Sequence, residues 1–316
     1  MKSNKLNKKR QLIFFISTVV LSLCVMLTRF FQLKYSIDKV TGYYINGSKS
    51  VIFLYGFMAI FVIMLALALI YISKRNITLD IPLKPQNHYL IFKLASYLLF
   101  VALTYCGIAA LFGSGKSLQQ MLTPATIIYV ALYVFLLIYV IAVAFDINLQ
   151  SKNVNLVLSL APVLWFLTVL IETFFRYTGV ANISEHIFEL LMLASFILFF
   201  LSVAKTAFVK DNNKSTFIYG IISVFLSAIY VIPEFFNLVT NHLDNENIMN
   251  SLSVVVFDFC IALLILAIIA PHKKAKMPRD NNVSEQLDDI NDLDNLKNHP
   301  KVNVDEDVEN EIEILK

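Results

Sequence analysis

Arg29, Glu172, Arg176, His186, Glu189, Glu234 and Asp258 are the side chains of this sequence whose types and spacing could do chemistry. Residues three or four apart on a helix share a face, so Trp165, Thr168, Glu172 and Arg176 form one stripe on which Glu172 can pair with Arg176. His186 and Glu189 share another face in the same way. Pro233 lacks a backbone donor and sets the Glu234 carboxylate beside a kink. If the set converges, four carboxylates, two arginines and a histidine give a pocket of charge −2 before His186 is counted. Such a balance suits a cation, an amine or a metal. The competing reading is interfacial pairing, because long side chains near a membrane border reach water and one another without any ligand.

Asp258 stands apart from this competition. It lies seven residues into its apolar segment, which at ~1.5 Å per residue is about 10 Å, too deep for a short side chain to reach water easily. An unpaired charge there is unfavourable by about 2.5 to 3.5 kcal/mol. We expect Asp258 to face the protein interior, with Arg29, the Tyr105 hydroxyl or trapped water as its partner.

Several chemistries lack their residues. The sequence has no His-Glu-x-x-His pair for zinc hydrolysis, no Gly-Lys loop to cradle phosphate and no Gly-x-Ser-x-Gly elbow. A lipid-modifying enzyme would need a nucleophile or base that the sequence does not identify. Cys24, Cys106 and Cys260 all fall in apolar segments, have no metal-binding spacing and read as free thiols behaving as small hydrophobes. No cofactor is implied.

The elements that must position these side chains are membrane helices. The 316 residues are 58% hydrophobic and 16% charged, with a mean hydropathy of +0.68, outside the range of soluble domains. Eight apolar stretches are long enough to cross a hydrocarbon core of about 30 Å. They run approximately from Gln11 to Phe31, Val51 to Ile72, Leu90 to Phe112, Pro124 to Phe145, Val154 to Phe175, Ile187 to Val209, Phe217 to Leu238 and Leu252 to Ala270. The fold class is therefore all-α, a polytopic transmembrane bundle of eight spans, or seven if the first, carrying Arg29, or the last, carrying Asp258, does not cross. Long continuous runs exclude the alternating pattern of an outer-membrane barrel. The first run is too long for the core of a signal peptide and reads as a retained helix.

Three regions follow: a basic segment 1–10, a membrane domain 11–270 and an acidic tail 271–316. With the first segment inside, fifteen Lys and Arg of the termini and short connections fall on the cytoplasmic side and five on the outer side. The positive-inside rule then places both termini in the cytoplasm. Residues 1–270 carry 19 basic and 11 acidic side chains, whereas 271–316 carry 7 and 12. The basic excess meets anionic headgroups of the bilayer, and there is no nucleic-acid footprint. The tail reads as a solvated disordered segment. Its Leu287, Ile290, Leu293 and Leu296 recur every third residue, so a docking helix for a cytoplasmic protein partner through 280–316 is the sharper alternative.

Arg29, Gln32-Leu33, Asp38 and Thr41-Gly42 ahead of the second span, with Pro162, Arg176 and the sixth span beyond, look like a group of multi-pass membrane proteins of Firmicutes, especially Clostridia. The resemblance covers the membrane part and excludes the tail. It implies a bacterial plasma-membrane address and no substrate, since no activity is established for that group. Three functions are expected in descending order: a non-enzymatic sensor or scaffold working through its outer charges and its tail, a small-solute or cation transporter using the outer-half carboxylates, and a lipid-modifying enzyme. Few glycines interrupt the spans, which weakens transport by unwound helices.

Overall fold

In the computed structural model the described residues are 2–36, 45, 48–74, 90–112, 124–145, 147, 152–177, 183–208, 213–241 and 248–270. They form helices α1 (Lys2–Tyr35), α2 (Lys49–Lys74), α3 (Leu90–Phe112), α4 (Pro124–Ala144), α5 (Lys152–Ser159), α6 (Ala161–Tyr177), α7 (Ile183–Phe208), α8 (Asn213–Asn241) and α9 (Ile248–Ile269), with no strand among the described residues. Eight stretches are long and apolar enough to cross a membrane, and each matches a segment expected from the sequence to within a few residues. The first span, with Arg29, and the last, with Asp258, are both among them. The chain divides into two units, 1–272 and 273–316. The acidic tail and its proposed docking helix lie outside the described residues.

The fifth span is the one that two helices share. Pro162 has no N–H for the Leu158 carbonyl, and its ring crowds that carbonyl, so the helix breaks two residues earlier, at Leu160. At the break the Leu160 amide divides itself between the carbonyls of Leu156 and Val157, each 3.2 Å away, and α6 resumes with Leu164 N bonded to Leu160 O at 3.0 Å. Pro233 is tolerated inside a continuous α8.

Ring and hydroxyl contacts fix the order of the helices. Phe14 meets Tyr71, so the start of α1 lies beside the end of α2. Phe30 meets Phe236 at 5.5 Å, which makes α1 and α8 parallel. Phe61 of α2 stacks on Phe225 of α8 at 3.6 Å. Buried hydroxyls join α7 to α8, with Ser202 and Thr216 2.8 Å apart and Ser223 donating to the Ser195 carbonyl at 3.0 Å. Phe166 of α6 packs on Phe196 of α7 and on Phe257 of α9. Tyr133 of α4 donates to the Leu103 carbonyl of α3 at 2.5 Å.

α7, α8 and α9 are the centre of this arrangement. Their spans are 50%, 61% and 56% buried inside the protein, against 17% for α2 and α4. A peripheral helix in lipid has no need to hide its apolar side chains, because the solvent is as apolar as they are. Gly220 sits in the centre, where Phe199 and Ile269 approach so closely that a side chain has no room. That approach puts the start of α8 beside the end of α9. The chain therefore begins α1 and ends α9 on one face of the bundle, called here the terminal face, and the opposite face is the distal one.

Candidate functional site

Arg29, Glu172, Glu189, Glu234 and Asp258 all lie within ten residues of the distal ends of their helices. Counted along their helices, they share one half of the helix bundle. The Arg176 and His186 side chains lie outside the described residues, so the expected Glu172–Arg176 pair and the His186–Glu189 face do as well.

Four of the five belong to the α1, α7, α8 and α9 assembly. Arg29 is 4% exposed and Asp258 5% exposed, deep values for charged side chains. Arg29 donates from Nη1 to Gln32 Oε1 at 2.7 Å, one helical turn along, and its guanidinium lies over the Phe188 ring of α7 at 5.2 Å. Glu189 is the next residue along α7. Its carboxylate is near enough to Asp258 of α9 to act on it electrostatically. Asp258 in turn acts on the Cys106 thiol of α3, which donates to the Ser253 carbonyl at 3.0 Å. Glu234 is half-buried and accepts from Asn237 Nδ2 at 3.4 Å. Asp258 thus faces the bundle as expected. Its electrostatic neighbours include Glu189 and Cys106, the residue next to the anticipated Tyr105.

Glu172 has a different setting. It is exposed on α6 and accepts a hydrogen bond from the Tyr129 hydroxyl of α4. It lines a groove of about 560 Å³ with Tyr129, Thr168, Ile171 and Phe175. Trp165, about two turns inward of Glu172, stands edge-on between Tyr129 at 6.3 Å and Tyr133 at 5.9 Å. Glu172 is therefore directed out of the bundle while Asp258 is directed into it. A second groove, of about 300 Å³, is wholly apolar and lies between α8 and α9 from Val231 to Phe259. Neither groove is lined by Arg29, Glu189 or Asp258.

Spacing could have found Gln32, since it stands three residues from Arg29 on one face. No local signal announces Tyr129, which comes from another helix 43 residues away. The cysteines Cys24, Cys106 and Cys260 are free. Among the described residues no group of three or more His, Cys, Asp and Glu side chains is placed to hold a metal ion.

Fold and site together define the class: an α-helical integral membrane protein with eight candidate spans and a charged, buried distal core. No family model matches this chain. No curated protein and no solved structure matches it either.

Proposed function

We propose that this chain is a non-enzymatic sensor or scaffold of a bacterial plasma membrane, with both termini cytoplasmic and the distal face outside. The observation that carries the reading is the burial of Arg29 and Asp258 on the first and last spans, in one assembly with Glu189. Ionisable groups inside a membrane are costly and mark functional positions. Here they join helices whose other ends lead into the basic segment 1–10 and the acidic tail. A change of charge at the distal core would alter how α1 and α9 pack, and both cytoplasmic segments are continuous with those helices. The tail would pass that change to a cytoplasmic partner through residues 280–316.

A transport reading draws on the electrostatic influence of Glu189 on Asp258, because carboxylates inside spans also serve as ion or proton carriers. Glu172 is directed elsewhere, to Tyr129, which leaves transport with fewer ligands than the full carboxylate set. Proteoliposomes separate the two. The sensor reading expects proton and cation flux no higher than in empty vesicles. It also expects the protease sensitivity of the tail to change between acidic and neutral external buffer in the wild type, and to stop changing in Asp258→Asn. Flux that depends on Asp258 would establish transport instead, and a tail indifferent to external conditions would remove the sensor.

A further inference from the structure

Lys93, Tyr97 and Phe100 follow one another at one-turn spacing along the first half of α3 and share one of its faces. We propose that this face, at the terminal edge of the membrane domain, binds the phosphate of an anionic phospholipid, with Lys93 as counter-ion.

Neighbouring helices fix where the face stands. Cys106, in the second half of α3, donates to the Ser253 carbonyl in the first half of α9, so α3 begins on the terminal face, where α9 ends. α4 covers the inner part of the face, with Tyr133 close against Gly107, two turns beyond Phe100. Phe145, the residue after the end of α4, stands edge-on to Tyr97 at 5.8 Å and to Phe100 at 5.9 Å. Its amide bonds to the Ile141 carbonyl at 3.0 Å, which holds it there. α4 therefore ends level with Tyr97 and Phe100, and Lys93, one turn nearer the terminal face, stands beyond its last turn. Among the described residues no acid pairs with the half-buried Lys93, and no group bonds its ammonium or the Tyr97 hydroxyl. The helices packed against α3 give the reason: α4 contains no Asp or Glu, and α9 contains none from Cys260 onward.

Position and chemistry select the lipid. Lys93 stands three residues after the start of α3 at Leu90, about 5 Å at ~1.5 Å per residue, which is the level where headgroup meets acyl chain. Side chains of a helix lean toward its start, so the ammonium and the hydroxyl one turn below it are both carried toward the headgroups. An ammonium has three donors and a phenol one, which suits the two unesterified oxygens of a phosphodiester. Phe145 and Tyr97, 55% and 42% exposed, continue inward as an aromatic wall along which an acyl chain can lie. A zwitterionic lipid carries its own cation beside the phosphate, so the charge of Lys93 favours a lipid whose headgroup is net negative.

The chain has a single tryptophan, so Trp165→Phe with Phe145→Trp moves the fluorophore to this face. The test places that full chain in nanodiscs of phosphatidylcholine containing a minor fraction of lipid brominated on its acyl chain, either phosphatidylglycerol or phosphatidylcholine, and reads quenching. Phosphatidylglycerol should be preferred about fivefold, as one lysine at a membrane border supplies. Lys93→Gln should abolish the preference at an unchanged melting temperature, and Lys93→Arg should keep it. Equal quenching by both lipids, or an unchanged preference in Lys93→Gln, would overturn the site. Raising salt from about 0.1 M to about 1 M shortens the Debye length from about 10 Å to about 3 Å, so the preference should fall before any substitution of Lys93. Indifference to salt would overturn the ionic contact even if Lys93→Gln failed to fold. Inorganic phosphate at millimolar concentration should not displace the lipid, and displacement would assign the face to a soluble phosphate instead. Asp146 follows Phe145 in the sequence, so Asp146→Asn is the further control: a preference that arises only in that variant would mean that the chain supplies its own anion, and would also overturn the proposal. None of these outcomes bears on tail sensitivity or flux, so the sensor reading stands or falls separately.

Discussion

At the scale of single residues, burial decides what a charge is worth. Arg29 is held by Gln32 and by the Phe188 ring, so removing the guanidinium orphans the buried Gln32 oxygen and empties the space over the ring. We expect Arg29→Met to lower stability by about 2 kcal/mol, combining an unsatisfied polar group with a lost cation–π contact. Detergent denaturation of the purified chain measures this, and a loss indistinguishable from zero would show that Arg29 is not integral to the core. Asp258→Asn should behave differently. It keeps size and hydrogen-bonding capacity, so the fold should survive with an unchanged melting curve while the response of the tail disappears. Loss of the fold in Asp258→Asn would mean that the negative charge itself holds α9 in place. Charged pairs at the surface, by contrast, are worth at most about 1 kcal/mol, so Glu172→Gln should change stability little.

At the scale of elements, close approach and helix breaks do the positioning. Gly220→Ala would drive a methyl group into Ile269 and the Phe199 ring, where α7, α8 and α9 meet. Overpacking of this kind costs about 1 to 3 kcal/mol, although alanine is the better helix former. Gly56→Ala meets nothing within 4 Å and should leave stability unchanged or slightly raised. The pair forms a controlled comparison, and equal effects would contradict the packing of the three central helices. The break at Leu160 sets the direction in which α6 leaves α5 and hence where Trp165 and Glu172 stand. Pro162→Ala restores the donor to the Leu158 carbonyl and should fuse the two helices. Trp165 would then move relative to Tyr129 and Tyr133, and its emission should shift. Unchanged emission would show that packing, and not Pro162, fixes the direction of α6.

At the scale of the whole molecule, the eight candidate spans among the described residues return the chain to its starting face. With Cys24, Cys106 and Cys260 replaced, single cysteines at Asn46 and Asn245 should react with an impermeant thiol reagent from outside intact cells. Reaction only after permeabilisation would invert the proposed orientation. Because residues 1–272 form a unit with its own core, a chain ending there should melt at the same temperature as the full one. A lower melting temperature would show that the tail contributes to the bundle.

The sequence by itself determined the eight spans, because the requirement to satisfy every backbone group in lipid is local and is met within each helix. The placement of Arg29, Glu189, Glu234 and Asp258 in one half of the membrane domain was also legible, since depth along a helix follows from residue number. The missing donors of Pro162 and Pro233 were equally legible, but only the structure decided that the helix breaks near the first and runs on through the second. What the sequence could not decide is which side of each helix meets which neighbour. In lipid an apolar face reads the same whether it touches a helix or an acyl chain, so hydrophobic periodicity, which orients helices in soluble proteins, carries little information here. Only the tertiary structure turned Glu172 outward to Tyr129 and buried Asp258 inside the bundle, because those directions depend on packing between helices far apart in the chain.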